Sequence, residues 1–168
     1  ETGLKVVTHN LNHKNNDLKL FEFGRTYALN SKGRFDEPEH LSLYLTGEKY
    51  VQSWKSKAAP NDFYTLKGVV EKLFSLLGVT EINYSELTET QFGQGLTAKS
   101  GQHTIAKFGA VNKKVLTRFD IKQPVLYADL DWNTVLKIAL KHKPAFAPIS
   151  RFPAVQRDIA MVGSKEMK

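Results

Sequence analysis

Two histidines four residues apart, a strand carrying both Glu and Arg, a pair of aspartates and a Gly-x-Gly turn are the places where this sequence could do chemistry. His9 and His13 have the i, i+4 spacing that puts two imidazoles on one helical face, an arrangement that can bind zinc. Asn10 stands where a metalloprotease motif carries its Glu base, and no third ligand is marked nearby. Asn12 and Asn15 argue that the helix has ended by then, so solvated histidines are the expectation. Phe92-Gly93-Gln94-Gly95 lacks the third glycine of a dinucleotide fingerprint and reads as a flexible turn. Asp129 and Asp131 flank a strand end and a helix start, where Asp131 serves as an N-cap rather than as half of an acid–base pair. Glu22 and Arg25 lie in a strand that reads as buried, where a charge needs a partner. A structural ion pair and a ligand site lined by Glu and Arg are both open. Trp54, alone in a polar stretch, is expected to plug the core beneath its loop, with an interface anchor as the alternative.

The elements that position these residues follow from periodicity. Leu4 to Asn10 reads as the end of a helix and Leu11 to Asp17 as a polar loop. Lys19 to Tyr27 carries apolar groups on both faces and is expected as a buried strand. Asn30 to Pro38 reads as a connecting turn. Leu41, Leu43 and Leu45 alternate with polar neighbours, the period of a half-buried strand. After a polar stretch from Gly47 to Asn61, a helix is expected from Phe63 to Leu77, with Leu66, Val69, Val70, Leu73, Leu76 and Leu77 as its apolar stripe. Asn61 or Asp62 caps its start and Gly78 ends it. Strands are expected at Ile82 to Leu87, Thr104 to Val111 and Val125 to Leu130, with Phe92 to His103 as a loop. Asp131 or Asn133 caps a second helix that runs to about Lys141, turning Val135, Leu136, Ala139 and Leu140 inward. Pro144 and Pro148 mark a boundary, beyond which Arg157 to Val162 forms an isolated strand. The fold class is therefore α+β, with a mainly antiparallel sheet flanked by helices.

Composition narrows the function. The 168 residues are 41% apolar and 24% charged, enough for a packed core on a soluble chain. No apolar run approaches the roughly 20 residues of a membrane helix, and the absence of cysteine excludes disulfide and thiolate chemistry. A net charge of +7 with no block of basic residues fits either a soluble basic surface or a nucleic-acid footprint. No catalytic residue, cofactor site or metal site is expected.

Four segments, in order, resemble one family. They are Asp17 to Tyr27 (with Phe21-Glu22-Phe23-Gly24-Arg25 at its centre), Asp62 to Glu71, Val125 to Asp131, and Ile149 to Ala160. Together they resemble the β chain of bacterial phenylalanyl-tRNA synthetase. The resemblance implies a class II aminoacyl-tRNA synthetase-like core over residues 1–148, non-catalytic, and over residues 149–168 the first strand of a ferredoxin-like anticodon-binding domain. It implies an α subunit that activates phenylalanine with ATP and magnesium and charges tRNA(Phe), an (αβ)2 assembly, a cytoplasmic location and no membrane. Arg151 and Arg157 would approach tRNA. An active class II domain carries Arg-x-Glu on the strand that here has Glu22 before Arg25, and a Gly-x-Gly-x-Gly-x-x-Arg pattern that this sequence lacks, so the implied site is degenerate. A His-Pro-Gly-Arg-like loop is missing at Gln91 to Leu96, which leaves that loop without an assigned role. The rival expectations are a class II-like domain with residual ATP or amino-acid binding, and a free-standing basic RNA-binding domain.

Overall fold

The computed structural model describes residues 1–29, 33, 35–50, 54, 57–141 and 157–158. Helix α1 (Thr2–Asn12) buries Gly3, Leu4 and Val7 on one side. It runs two residues past the expected end, to the turn where Lys14 takes a φ of 65°. Strand β1 (Leu18–Arg25) follows, then the short antiparallel pair β2 (Ala28–Leu29) and β3 (Phe35–Asp36). Strand β4 (Glu39–Thr46) is followed by a second short pair, β5 (Glu48–Tyr50) and β6 (Ala59–Pro60), which gives structure to part of the polar stretch. Helix α2 (Phe63–Leu76) leads to β7 (Asn83–Glu86), β8 (Phe92–Ser100) and β9 (His103–Val111). Helix α3 (Lys113–Arg118), strand β10 (Val125–Asp131) and helix α4 (Trp132–Ala139) complete the described elements.

Among the described residues, six strands form one antiparallel sheet in the order β1-β4-β10-β9-β8-β7. Register sets its two faces, because successive side chains of a strand point to opposite sides. Leu41, Leu43 and Leu45 lie opposite Leu130, Ala128 and Leu126, and Ala128 in turn lies opposite Phe108. These form a dry face against Leu66, Val70 and Phe74 of α2 and Val135 of α4. Asp62 starts α2 as expected, accepting from the Thr65 amide at 2.7 Å. The other face is apolar only at one end, where α1 and α3 bring Leu4, Val7, Leu116 and Ile121 onto Leu18, Tyr44 and Val125.

Several expectations are corrected. β1 is the edge of the sheet and not a buried strand; Phe21 and Phe23 are 71% and 55% exposed. Its apolar residues point both ways because Leu18 and Leu20 turn toward α1, while the two phenylalanines reach past the end of the helical layer. Residues 92–100 are a strand and not a loop. The glycines that made it read as a loop are packing requirements: Gly95 lies directly opposite Gly109, and a Cβ on Gly95 would sit 2.7 Å from the Phe108 carbonyl oxygen. In α2 the buried stripe is Leu66, Val70 and Phe74, with Leu73 and Leu77 at its border, whereas Val69 and Leu76 face out. Leu140 lies beyond the last turn of α4 and is exposed. Trp54 is 97% exposed and plugs nothing. The proline-marked boundary at 144–148, the stretch from 149 to Arg151, and most of the expected strand at 157–162 lie outside the described residues.

Candidate functional site

The open half of the second sheet face carries the polar side chains. On β4 and β10 the residues between the core positions are His40, Ser42, Tyr44 and Tyr127, Asp129, Asp131, and the register sets them beside one another: Tyr127 opposite Tyr44, Asp129 opposite Ser42, Asp131 opposite His40. Glu22 of β1 lies opposite Ser42 from the other side, and Lys107 of β9 lies opposite Asp129.

His40 is the centre of this floor. Its Nδ1 is 2.9 Å from Asp129 Oδ1, and its Nε2 is 3.3 Å from Thr26 Oγ1. Both members of the His40–Asp129 pair are about two-thirds or more buried, at 24% and 32% side-chain exposure. The carboxylate orients the imidazole and leaves Nε2 turned toward a hydroxyl, a geometry able to pass a proton between Thr26 and Asp129. Ser42 Oγ lies 3.3 Å from the Tyr127 hydroxyl, and the Tyr44 and Tyr127 rings are 4.9 Å apart. Burial pushes the Tyr127 phenol well above its usual range, with the Asp129 charge acting the same way. Tyr44 is raised too, by burial first and then by Glu22. These phenols are hydrogen-bonding groups at neutral pH, not bases. Lys107 donates to Glu89 at 2.5 Å in a part-buried pair.

Glu22 and Arg25 are not brought together. They lie an odd number of residues apart, so the strand points them to opposite faces. Arg25 instead donates from Nε and Nη2 to Glu39 Oε1, at 2.9 and 2.6 Å, and that carboxylate holds the guanidinium further above its ordinary value. Arg25 is more than half exposed and Glu39 partly so, so this ion pair lies at the sheet edge and not in a buried strand. Arg25, Glu39, Phe23, Tyr27 and Trp132 border a shallow cleft of about 360 Å³ at this edge.

The other candidates resolve simply. The His9 and His13 rings lie 4.4 Å apart, tilted by 42°, and His13 Nδ1 turns back to the His9 carbonyl oxygen at 2.7 Å. Among the described residues no three His, Asp or Glu side chains are placed to hold a metal ion. Asp131 caps α4 by accepting from the Thr134 amide at 2.9 Å. Arg157 is exposed, and Arg151 lies outside the described residues. Sequence reasoning missed the His40–Asp129–Thr26 chain. Its signal was present in the polar alternation of residues 40–44 and 127–131, but reading it requires knowing that β4 and β10 are neighbours.

Comparison with known proteins follows the same lines. Residues 1–132 match the family model described as phenylalanyl tRNA synthetase beta chain CLM domain. The phenylalanine–tRNA ligase β subunit of Bacteroides thetaiotaomicron is 37% identical over 177 aligned residues, covering 99% of this chain and 22% of the relative. The β subunit of Geobacter sulfurreducens is 35% identical, with 97% of this chain and 21% of the relative covered. The chain thus spans about one fifth of the length of the curated relatives it matches. Among solved structures, pyrrolysyl-tRNA synthetase from Desulfitobacterium hafniense superposes with a TM-score of 0.64 at 14% identity, covering 83% of this chain and 48% of that one. That likeness is one of fold alone: a mainly antiparallel sheet with helices packed on it.

Proposed function

The chain belongs to the phenylalanyl-tRNA synthetase β-chain family, and from that premise we propose that it is a scaffold and interaction module of a phenylalanine–tRNA ligase β subunit. In this reading it does no chemistry of its own. It supports the charging of tRNA(Phe) by an α subunit that uses ATP and magnesium, within an (αβ)2 assembly in the cytoplasm. Residues 1–148 form the module and residues 149–168 begin an anticodon-binding domain, with Arg151 and Arg157 on the tRNA side.

The observation that carries the reading is the apolar edge of the sheet. β1 ends the sheet, and Phe21, Phe23, Tyr27, Leu29 and Phe35 are each more than half exposed beside it. An unpaired strand edge bordered by aromatic side chains is a surface made to be covered. The polar face supports the non-catalytic half of the proposal. Stabilising a phosphoryl centre requires cations held at short range. Here the floor presents Glu22 and Asp129, Lys107 is tied to Glu89, and Arg25 sits on the opposite face tied to Glu39. Carboxylates can hold magnesium, but neither Lys107 nor Arg25 is placed unpaired on this floor to meet a triphosphate.

Isothermal titration of the chain with Mg-ATP and with phenylalanine tests this. The proposal expects no saturable heat with either ligand. Micromolar binding of either would replace the scaffold reading with that of a class II domain retaining a ligand site.

A further inference from the structure

Among the described residues the sheet has two free edges, and they differ. β7 has four residues, of which Asn83, Ser85 and Glu86 are polar and exposed. β1 has eight, paired with β4 residue for residue with no bulge and no proline. Short length, bulges, prolines and charges are the devices that protect a free edge. The two cations of β1 stand near its ends and are turned aside. Lys19 Nζ donates to the Lys49 carbonyl oxygen at 3.1 Å, and Arg25 donates to Glu39 at 2.6 Å.

Alternate residues of an edge strand aim N–H and C=O away from the sheet, so about half of these groups on β1 face outward over roughly 26 Å. Gly24 puts no side chain beside them, and a Cβ there would meet nothing within 4 Å. Another extended backbone satisfies such a row directly. The side chains of β1 state what that backbone should carry. On one face Phe21 and Phe23 lie 6.3 Å apart, edge to face, and Phe23 meets Trp132 at 5.1 Å. The cleft of about 360 Å³ opens beside Phe23 and Trp132 on this edge. On the opposite face Glu22 is exposed and has no hydrogen bond or ion pair among the described residues.

A second copy of this chain fits the edge poorly. Antiparallel self-pairing centred on Glu22 sets Glu22 against Glu22 and Lys19 against Arg25, and like charges directly opposite are destabilising. The neighbouring registers set Glu22 against Leu20 or Gly24, where it gains no partner.

We propose that β1 is extended by a strand of the α subunit, with apolar residues beside Phe21 and Phe23 and a basic residue between them beside Glu22. Backbone hydrogen bonds supply the affinity of such an addition, and the alternating side chains supply its specificity. The α subunit as the source rests on the interaction-module reading above; the strand, its pattern and its position rest on β1.

Hydrogen exchange at single-amide resolution, on the 168-residue chain alone and with excess α subunit of the matching ligase, tests this. Alternate amides of residues 18–25 are expected to slow by about tenfold or more on binding, with those of β7 unchanged. Glu22→Lys is expected to weaken association by about 3–30-fold, less at high salt. Glu86→Lys, the same charge change on the other edge, should alter it by less than about twofold. Melting curves check that both variants fold. Binding that leaves the β1 amides as fast as in the free chain overturns strand addition and spares the interaction module. No binding by the folded chain overturns both. Equal losses in the two variants overturn the pairing of Glu22 with a basic residue, and β1 protection in the concentrated chain alone makes the occupant a second copy.

Discussion

Replacing Phe74 by Ala tests the placement of α2, the helix on which the dry face of the sheet depends. Phe74 is fully buried, and Leu76, two residues on, is 72% exposed. Two residues turn a helix by about 200°, so these side chains report on opposite sides of one element. Phe74 lies in the cluster with Leu43, Ala128 and Val135, and nothing in a close-packed core readily fills the volume of a lost ring. Phe74→Ala should cost about 3–5 kcal/mol, set against a total stability of roughly 5–15 kcal/mol for a domain. At about 2–4 °C per kcal/mol for a chain of this size, the midpoint should fall by roughly 6–20 °C. Leu76→Ala should stay within about 0.5 kcal/mol of wild type, because it removes no core contact. Alanine's helix propensity favours both variants slightly and so works against the contrast. Urea and thermal unfolding followed by circular dichroism read both quantities, and an unchanged m-value confirms that the unfolded state is the same. Equal losses, or a larger loss for Leu76→Ala, would refute the facing of α2 and with it the identity of the buried sheet face.

Three further outcomes follow from the geometry. Gly109→Ala drives a Cβ into the Gln94 carbonyl oxygen, which is backbone and cannot rotate away, so β8 must part from β9; a loss of about 1–3 kcal/mol is expected, and unchanged amide exchange in both strands would contradict it. Burial, then the Glu71 charge and its hydrogen bond, push the Tyr84 phenol from 10.0 up to about 12. A folded-state pKa raised above the unfolded one leaves stability intact below pH 10 and erodes it as pH rises from about 10 to 12. Tyr84→Phe should flatten that part of the pH–stability curve, and a decline as steep as that of wild type would remove Tyr84 as a cause. Asp131→Ala removes the side-chain acceptor at the start of α4 and should cost about 0.5–2 kcal/mol in a denaturant melt, whereas no loss would mean that the β10–α4 junction is held by packing alone.

What could be read in the sequence was whatever local periodicity encodes. The alternation Leu41–Leu43–Leu45 and the capped helix beginning at Phe63 both depend on contacts that repeat along one element, and both are present at the expected places. Where the outcome depended on a neighbouring element, periodicity failed. Phe21 and Phe23 look like core residues in isolation, and only the strand order shows that they stand on an edge, where Phe23 meets Trp132 of α4 and both stay more than half exposed. The glycines of residues 93–95 signal a turn locally, yet Gly95 exists to let the backbone of Gly109 approach. Phe74 was hidden because Val69 and Leu76 offered an equally good apolar stripe about one residue out of phase. The candidate site was the least legible part. His40, Thr26 and Asp129 are separated by up to about a hundred residues, and their meeting depends on the β4–β10 register. Glu22 and Arg25, close in sequence, are separated by the strand itself.

In the proposed function these residues form an interaction module of a larger ligase, with a partner surface at the exposed edge of the sheet. Sedimentation velocity of the labelled chain, titrated with the α subunit of the matching phenylalanine–tRNA ligase, tests it most directly. Co-sedimentation is expected at micromolar α subunit, weakened when Phe21 and Phe23 are both changed to Ser. A chain that sediments alone at every α-subunit concentration, while giving the melting behaviour of a folded protein, would contradict it.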